Sequence, residues 1–86
     1  MITTEVTFDE LAALMKQAAG VTVGARELEQ VAGEPFGALG VDSLGLLGIV
    51  GELENRYGRS LPNDAERSRT PAEFIELVNT TLRTGA

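Results

Sequence analysis

The sequence predicts an all-α fold: a small irregular four-helix bundle with three main helices, one short third helix and a long first loop. Three observations carry this. Two stretches open on a capping box and continue as apolar stripes at helical spacing, and a third is bounded by an N-capping Asp and a terminating Gly. In the first stretch, Thr7-Phe8-Asp9-Glu10 sets Thr7 to accept from the backbone N–H three residues on and Glu10 to reach back to the cap. Phe8, Leu11, Leu14, Met15 and Ala18 then share one face, and Gly20 ends the helix. The last helix starts at Thr70-Pro71-Ala72-Glu73, with a capping Thr, Pro at the first helical position and Glu three residues past the cap. Phe74, Ile75, Val78 and Leu82 form its apolar stripe.

The middle helix is expected to begin after Asp42, with Ser43 in its first turn, and to run to Arg56 or Tyr57 before Gly58. Leu46, Ile49, Val50, Leu53 and Tyr57 fall on the core side. A second stripe of Leu44, Leu47, Gly48, Gly51 and Glu54 or Asn55 is then left toward solvent. Each interior glycine destabilises a helix by about 0.5–1 kcal/mol relative to alanine, so Gly45, Gly48 and Gly51 need a reason. Either another helix approaches closely, or a partner or bound cargo uses this face; the residues leave both open.

Residues 20–41 form a connection longer than loops without a role usually are. Leu28, Val31, Phe36 and Leu39 recur along it and should pin it to the bundle, with a helical turn over Ala25 to Val31. After Leu61-Pro62, Asn63 or Asp64 is expected to cap the short third helix, ending at Arg67.

The chain has 86 residues, enough for a single domain spanning 1–86. Leu, Ile, Val and Phe make up 24 of them, above the roughly one-fifth below which chains stay disordered, so a thin core can form. There is no Cys and no His. Disulfide scaffolds, zinc fingers, thiol nucleophiles and imidazole-based triads are excluded, and no calcium-loop spacing is present. The net charge of −6 argues against a nucleic-acid partner, which would need a basic stripe. Nine of the thirteen acids lie in residues 1–54 against only Lys16 and Arg26, whereas residues 55–86 carry five arginines and four acids. Such an acidic face suits basic protein partners or simple solubility. There is no secretory signal pattern and no uncharged run long enough to span a membrane, so a soluble, cytoplasmic protein with no membrane partner is expected.

Chemistry has few candidate carriers. The focus is Gly40-Val41-Asp42-Ser43-Leu44, where the long loop meets the middle helix. Asp followed by Ser is also an ordinary helix start. A Gly-Asp-Ser-Leu hydrolase reading fails, because Val41 separates Gly40 from Asp42 and no His exists to serve as base. Without a base of its own, Ser43 is better read as a substrate. A hydroxyl at a helix N-terminus sits where backbone N–H groups and the helix dipole favour an attached anion such as phosphate.

Phe36-Gly37-Ala38-Leu39-Gly40-Val41-Asp42-Ser43-Leu44 resembles the attachment region of acyl carrier proteins, with its Leu-Gly-x-Asp-Ser-Leu pattern. The resemblance continues through Leu53-Glu54-Asn55-Arg56-Tyr57-Gly58, Leu61-Pro62 and Thr70-Pro71, in family order over nearly the whole chain. It is nearest to the discrete carriers of type II, aromatic polyketide synthases. The resemblance implies an acyl-carrier-protein-like fold, no catalysis, and 4′-phosphopantetheine attached covalently to Ser43, carrying malonyl and growing polyketide chains as thioesters in antibiotic biosynthesis. It implies that Asp42 caps the helix and helps a phosphopantetheinyl transferase engage. Leu44 and Leu47, with Glu52 and Glu54, would form the recognition face. The partners implied are that transferase, an acyltransferase, a ketosynthase/chain-length factor, and tailoring enzymes such as a ketoreductase and a cyclase, met by a monomeric carrier. A fatty-acid, aminoacyl or other specialised carrier is the alternative within the family, and an unmodified helical interaction domain the alternative outside it. This chain departs from the family at Gly48, usually Glu, at Ala38, commonly an acid, and at Arg69, usually apolar. The stretch from Pro62 to Thr70 is also about one residue short.

Overall fold

In a computed structural model that describes residues 5–84, both capping threonines open their helices. Thr7 Oγ1 accepts the Glu10 N–H (3.2 Å) and starts α1 (Phe8–Ala19), which ends at Gly20 in the left-handed conformation. Thr70 Oγ1 accepts the Glu73 N–H (3.1 Å) at the start of α4 (Pro71–Thr84), and the Glu73 carboxylate returns to the Arg69 N–H (3.0 Å). Between them lie α2 (Ala25–Gln30) and α3 (Ser43–Tyr57). Among the described residues there is no strand.

Glu10 does not close the first box on Thr7. Its carboxylate crosses to α3, accepting from the Tyr57 hydroxyl (2.8 Å) and from Arg56 (3.3 Å). Thr7 is exposed, so water can serve its N–H, while a charge-assisted contact between helices is the stronger use of the carboxylate. Burial first, then the hydrogen bond and charge of Glu10, push the Tyr57 phenol up to about 12, against a lowering by Arg56.

The long loop lies on the bundle. Leu28 of α2 is fully buried and Phe36 nearly so, while Val31 and Leu39 pack partly buried against the same core. Phe36 meets Phe74 of α4 edge to face, with ring centroids 5.9 Å apart. One element was not expected, a 3-10 turn over Phe36–Leu39 between Pro35 and Gly40. The short third helix is present where expected, and only its cap is a correction. Residues Asn63–Arg67 form a 3-10 helix, preceded by extended Pro62 and capped by neither Asn63 nor Asp64. Five residues leave little room for an α-helical ladder, and the segment is held from outside. The Glu54 carboxylate accepts the Leu61 N–H (2.7 Å) just before it, and the Arg69 carbonyl accepts the Phe36 N–H (2.8 Å) just after.

The core is built from Leu11, Leu14, Met15, Ile49, Leu53, Phe74 and Val78, all fully or almost fully buried. Asn79 is a buried polar residue that the apolar pattern does not reveal. Its Oδ1 accepts the Val6 N–H (2.6 Å) and its Nδ2 donates to the Val6 carbonyl (3.1 Å), fastening the segment before α1 onto α4.

The three glycines of α3 divide between the two readings. A Cβ on Gly45 would stand 2.9 Å from the Ala19 Cβ, and one on Gly48 would stand 3.2 Å from the Ala18 Cβ, so both are packing positions against the end of α1. A Cβ on Gly51 would meet nothing within 4 Å. Gly48 is thus exposed on the open stripe with Leu44 and Leu47 and at the same time borders the α1 seam.

Two outcomes follow from these contacts. Gly51→Ala should raise stability by up to about 1 kcal/mol, and Gly45→Ala should lower it; urea midpoints of both variants against the parent protein decide this. A stabilising Gly45→Ala would mean that the α1–α3 seam is looser than described. The second outcome concerns alkaline pH. An unfolded tyrosine ionises near 10, so the stability contributed by the neutral Tyr57 is present in full below about pH 10. It is lost as the pH rises through the folded value of about 12. Tyr57 is the only tyrosine and there is no tryptophan, so phenolate absorbance follows this one group. Tyr57→Phe should remove this share of the alkaline loss; a phenol titrating at its ordinary value in the folded protein would contradict the Glu10 contact.

Candidate functional site

The turn before α3 fixes where Ser43 stands. The 3-10 turn ends at Gly40, whose φ of 91° favours glycine and whose Cβ would lie 3.4 Å from Val21. Val41 then drops into the core, its N–H donating to the Phe36 carbonyl (3.0 Å). Anchored on this side, the chain turns into the helix at Asp42. Its Oδ1 accepts the Gly45 N–H (2.7 Å) and its carbonyl accepts the Leu46 N–H (2.9 Å). The cap therefore uses Asp42 and not the Ser43 hydroxyl. Ser43 and Leu44, as the first two helical residues, keep backbone N–H groups with no partner inside the helix. Ser43 is exposed at this positive end of α3.

Beside it opens a groove of about 380 Å³. Phe36, Val41 and Leu46 give one side an apolar lining, and residues 66–70 form the other. The hydrogen bond from the Phe36 N–H to the Arg69 carbonyl joins the two walls. An anion attached to Ser43 Oγ would have two outward N–H groups next to it, and a longer chain behind that anion would have open space. The residues present thus fit a phosphodiester-linked arm.

The expected recognition residues are not all equivalent. Leu44 and Leu47 are 76% and 47% exposed, the large hydrophobic residues that stand out of the fold. Asp42 is on the same surface, although its carboxylate serves the cap. Glu52 is half-buried and lies 3.9 Å from Arg56, one turn on. Glu54 has a further role: its carboxylate accepts the Leu61 N–H, which ties the end of α3 to the next segment. Burying that N–H without an acceptor would be costly, so the acid has an internal use. Sequence reasoning missed the far wall of the groove. Arg67 and Ser68 carry no local signal, and Arg69 stood out only as a departure from a pattern. Among the described residues no three acids are placed to hold a metal ion, and no helix is long and apolar enough to cross a membrane.

Comparison with known proteins is consistent with this geometry. Residues 9–78 match the family described as phosphopantetheine attachment site. The chain is 58% identical over 81 residues to a probable acyl carrier protein of Streptomyces coelicolor, covering 94% of this chain and 90% of that one. It is 55% identical over 83 residues to the curamycin polyketide synthase acyl carrier protein of Streptomyces cyaneus, covering 96% and 94%. Its fold matches the solved structure of the actinorhodin apo acyl carrier protein from S. coelicolor with a TM-score of 0.79 at 35% identity, over 99% of this chain and the whole of that one.

Proposed function

This chain belongs to the acyl carrier proteins of the phosphopantetheine attachment family, and from that premise we propose that Ser43 bears the arm and that the chain carries polyketide intermediates between separate enzymes. The observation that carries the assignment is an exposed Ser43 at the start of α3, between a capping Asp42 and an exposed Leu44, inside the matched segment. When bound, the arm supplies a terminal thiol on which acyl groups are held as thioesters. The chain's own residues present and orient it. Ser43 contributes the Oγ that is linked to phosphate, and Asp42 fixes the helix start against which a phosphopantetheinyl transferase would work. Leu44 and Leu47 offer the apolar centre for docking, with Glu52 nearby. Catalysis belongs to the partners: an acyltransferase, a ketosynthase with its chain-length factor, and tailoring enzymes such as a ketoreductase and a cyclase, all in the cytoplasm. The polyketide reading, rather than a fatty-acid or aminoacyl one, is supported by relatives named for curamycin, oxytetracycline and actinorhodin synthases.

Attachment is tested by intact mass. Incubation with coenzyme A and a broad-specificity phosphopantetheinyl transferase should add one phosphopantetheine to the parent protein and none to Ser43→Ala. An unchanged parent mass, or equal gain by the variant, would overturn the assignment and favour an unmodified interaction domain. Docking is tested separately. Burying the rest of Leu47 against a partner is worth on the order of 1–2 kcal/mol, so Leu47→Ala should slow acyl transfer to the cognate ketosynthase roughly tenfold. Glu52→Ala should slow it less, since rim charges mainly steer the encounter. Arm attachment and melting temperature should change little in Leu47→Ala; a large fall in melting temperature would assign Leu47 to the core.

A further inference from the structure

The far wall of the groove contains a cation with no assigned work. Arg69 is fastened by its backbone on both sides: its carbonyl accepts the Phe36 N–H (2.8 Å) and its N–H donates to the Glu73 carboxylate (3.0 Å). Arg69 is exposed and, with Arg67, lines the same groove as Ser43. Among the described residues neither guanidinium lies within ion-pair distance of a carboxylate, whereas Arg56 and Arg83 are paired and Arg59 donates to the Leu82 carbonyl. The acids at the groove do not supply the missing partner. Asp42 is held in the cap, and Glu66 is an exposed rim residue. Arg67 also borders a second recess with Asp64 and Glu73, which leaves Arg69 as the principal cation.

The group that would be linked to Ser43 begins with a phosphodiester, a fixed negative charge at every working pH. The fold brings an unpaired, backbone-pinned guanidinium to the same groove from 26 positions away in the sequence. We infer that Arg69, assisted by Arg67, holds the phosphodiester of the arm toward the groove, so that the two are positioning residues for the arm. This rests on Ser43 being the attachment residue. Exposed charge pairs are individually weak and screened by salt. The held orientation should therefore be favoured about two- to fivefold at low salt, a bias a docked partner can reverse.

The experiment uses the loaded protein, confirmed by intact mass. Failure to load overturns this inference together with the Ser43 assignment; loading without the effects below overturns this inference alone. On going from the apo to the loaded protein, the Nε–H resonance of Arg69 should shift and that of Arg67 should follow less. Arg26, exposed near the start of α2, serves as the control and should not move. The phosphorus-31 resonance of the arm should move toward that of free phosphopantetheine in Arg67→Gln/Arg69→Gln and on raising salt, while Arg69→Lys should retain part of the difference. Because only backbone atoms of Arg69 are bonded within the fold, the melting temperature should be unchanged. A phosphorus resonance identical in the parent and the double variant, or an Arg69 response equal to that of Arg26, would overturn the inference. So would a double variant with an unchanged phosphorus resonance but slower acyl transfer, since the arginines would then be meeting an acid on a partner.

Discussion

The functional end of this molecule depends on how closely the first turns of α3 approach the end of α1. Two positions without a side chain, Gly45 and Gly48, face two methyl groups, Ala19 and Ala18, at separations that leave no room for another carbon without movement. Small residue against small residue lets the backbones come together, and α1 and α3 make the most extensive helix pair of the fold. The seam sets the direction in which α3 emerges and so the position of Asp42, Ser43 and the groove. Glycine weakens a helix taken alone. Here two of the three glycines are repaid by packing, and the third, Gly51, has no such compensation in the fold.

What was legible in the sequence was local. Thr7, Thr70, Asp42, Gly20 and Gly58 start or stop helices through contacts within a few residues of themselves, and each acts where the pattern placed it. The exposure of Leu44 and Leu47 was legible too, because it is the complement of a core stripe with helical period. What was not legible depended on distant chain segments. Glu10 is a capping acid by its local pattern and a tie to Tyr57 by its tertiary surroundings, 47 residues away. Glu54 lies on the open side by period, yet its carboxylate is drawn to the Leu61 N–H once the chain doubles back. The groove is the extreme case, since its two walls come from segments far apart in sequence, joined by the hydrogen bond between Phe36 and Arg69 and by packing of the 63–67 helix on α3.

Those same non-local contacts change the character of the surface around Ser43. The chain is acidic as a whole, but the Asp42 carboxylate at the helix start serves the cap and that of Glu54, near the far end of α3, holds the Leu61 N–H, while Glu66 stays exposed on the groove rim. Gly48, where the family pattern has Glu, is exposed but carries no charge, and a side chain there would press on Ala18. The surface that remains is two leucines beside a wall with two arginines and one glutamate, rather than a field of carboxylates. Net charge is therefore a poor guide to this face, because it counts side chains without regard to what each has already bonded.

That composition bears on how a carrier can serve several enzymes in turn. Full burial of a leucine contributes roughly 1.5–3 kcal/mol, whereas association costs at least about 4 kcal/mol in lost rigid-body freedom. Leu44 and Leu47 alone can therefore do little more than offset that cost. A partner docking there would have to gain the remainder from the arm and whatever it carries, which is the part that would differ from one step to the next. If Leu44 and Leu47 are the docking centre, as we propose, discrimination would fall to the cargo, and dissociation after transfer would be fast because the contact common to every partner would be weak. The close α1–α3 seam matters for the same reason: a weak docking face can be read reproducibly only if the helix that presents it is held in one place.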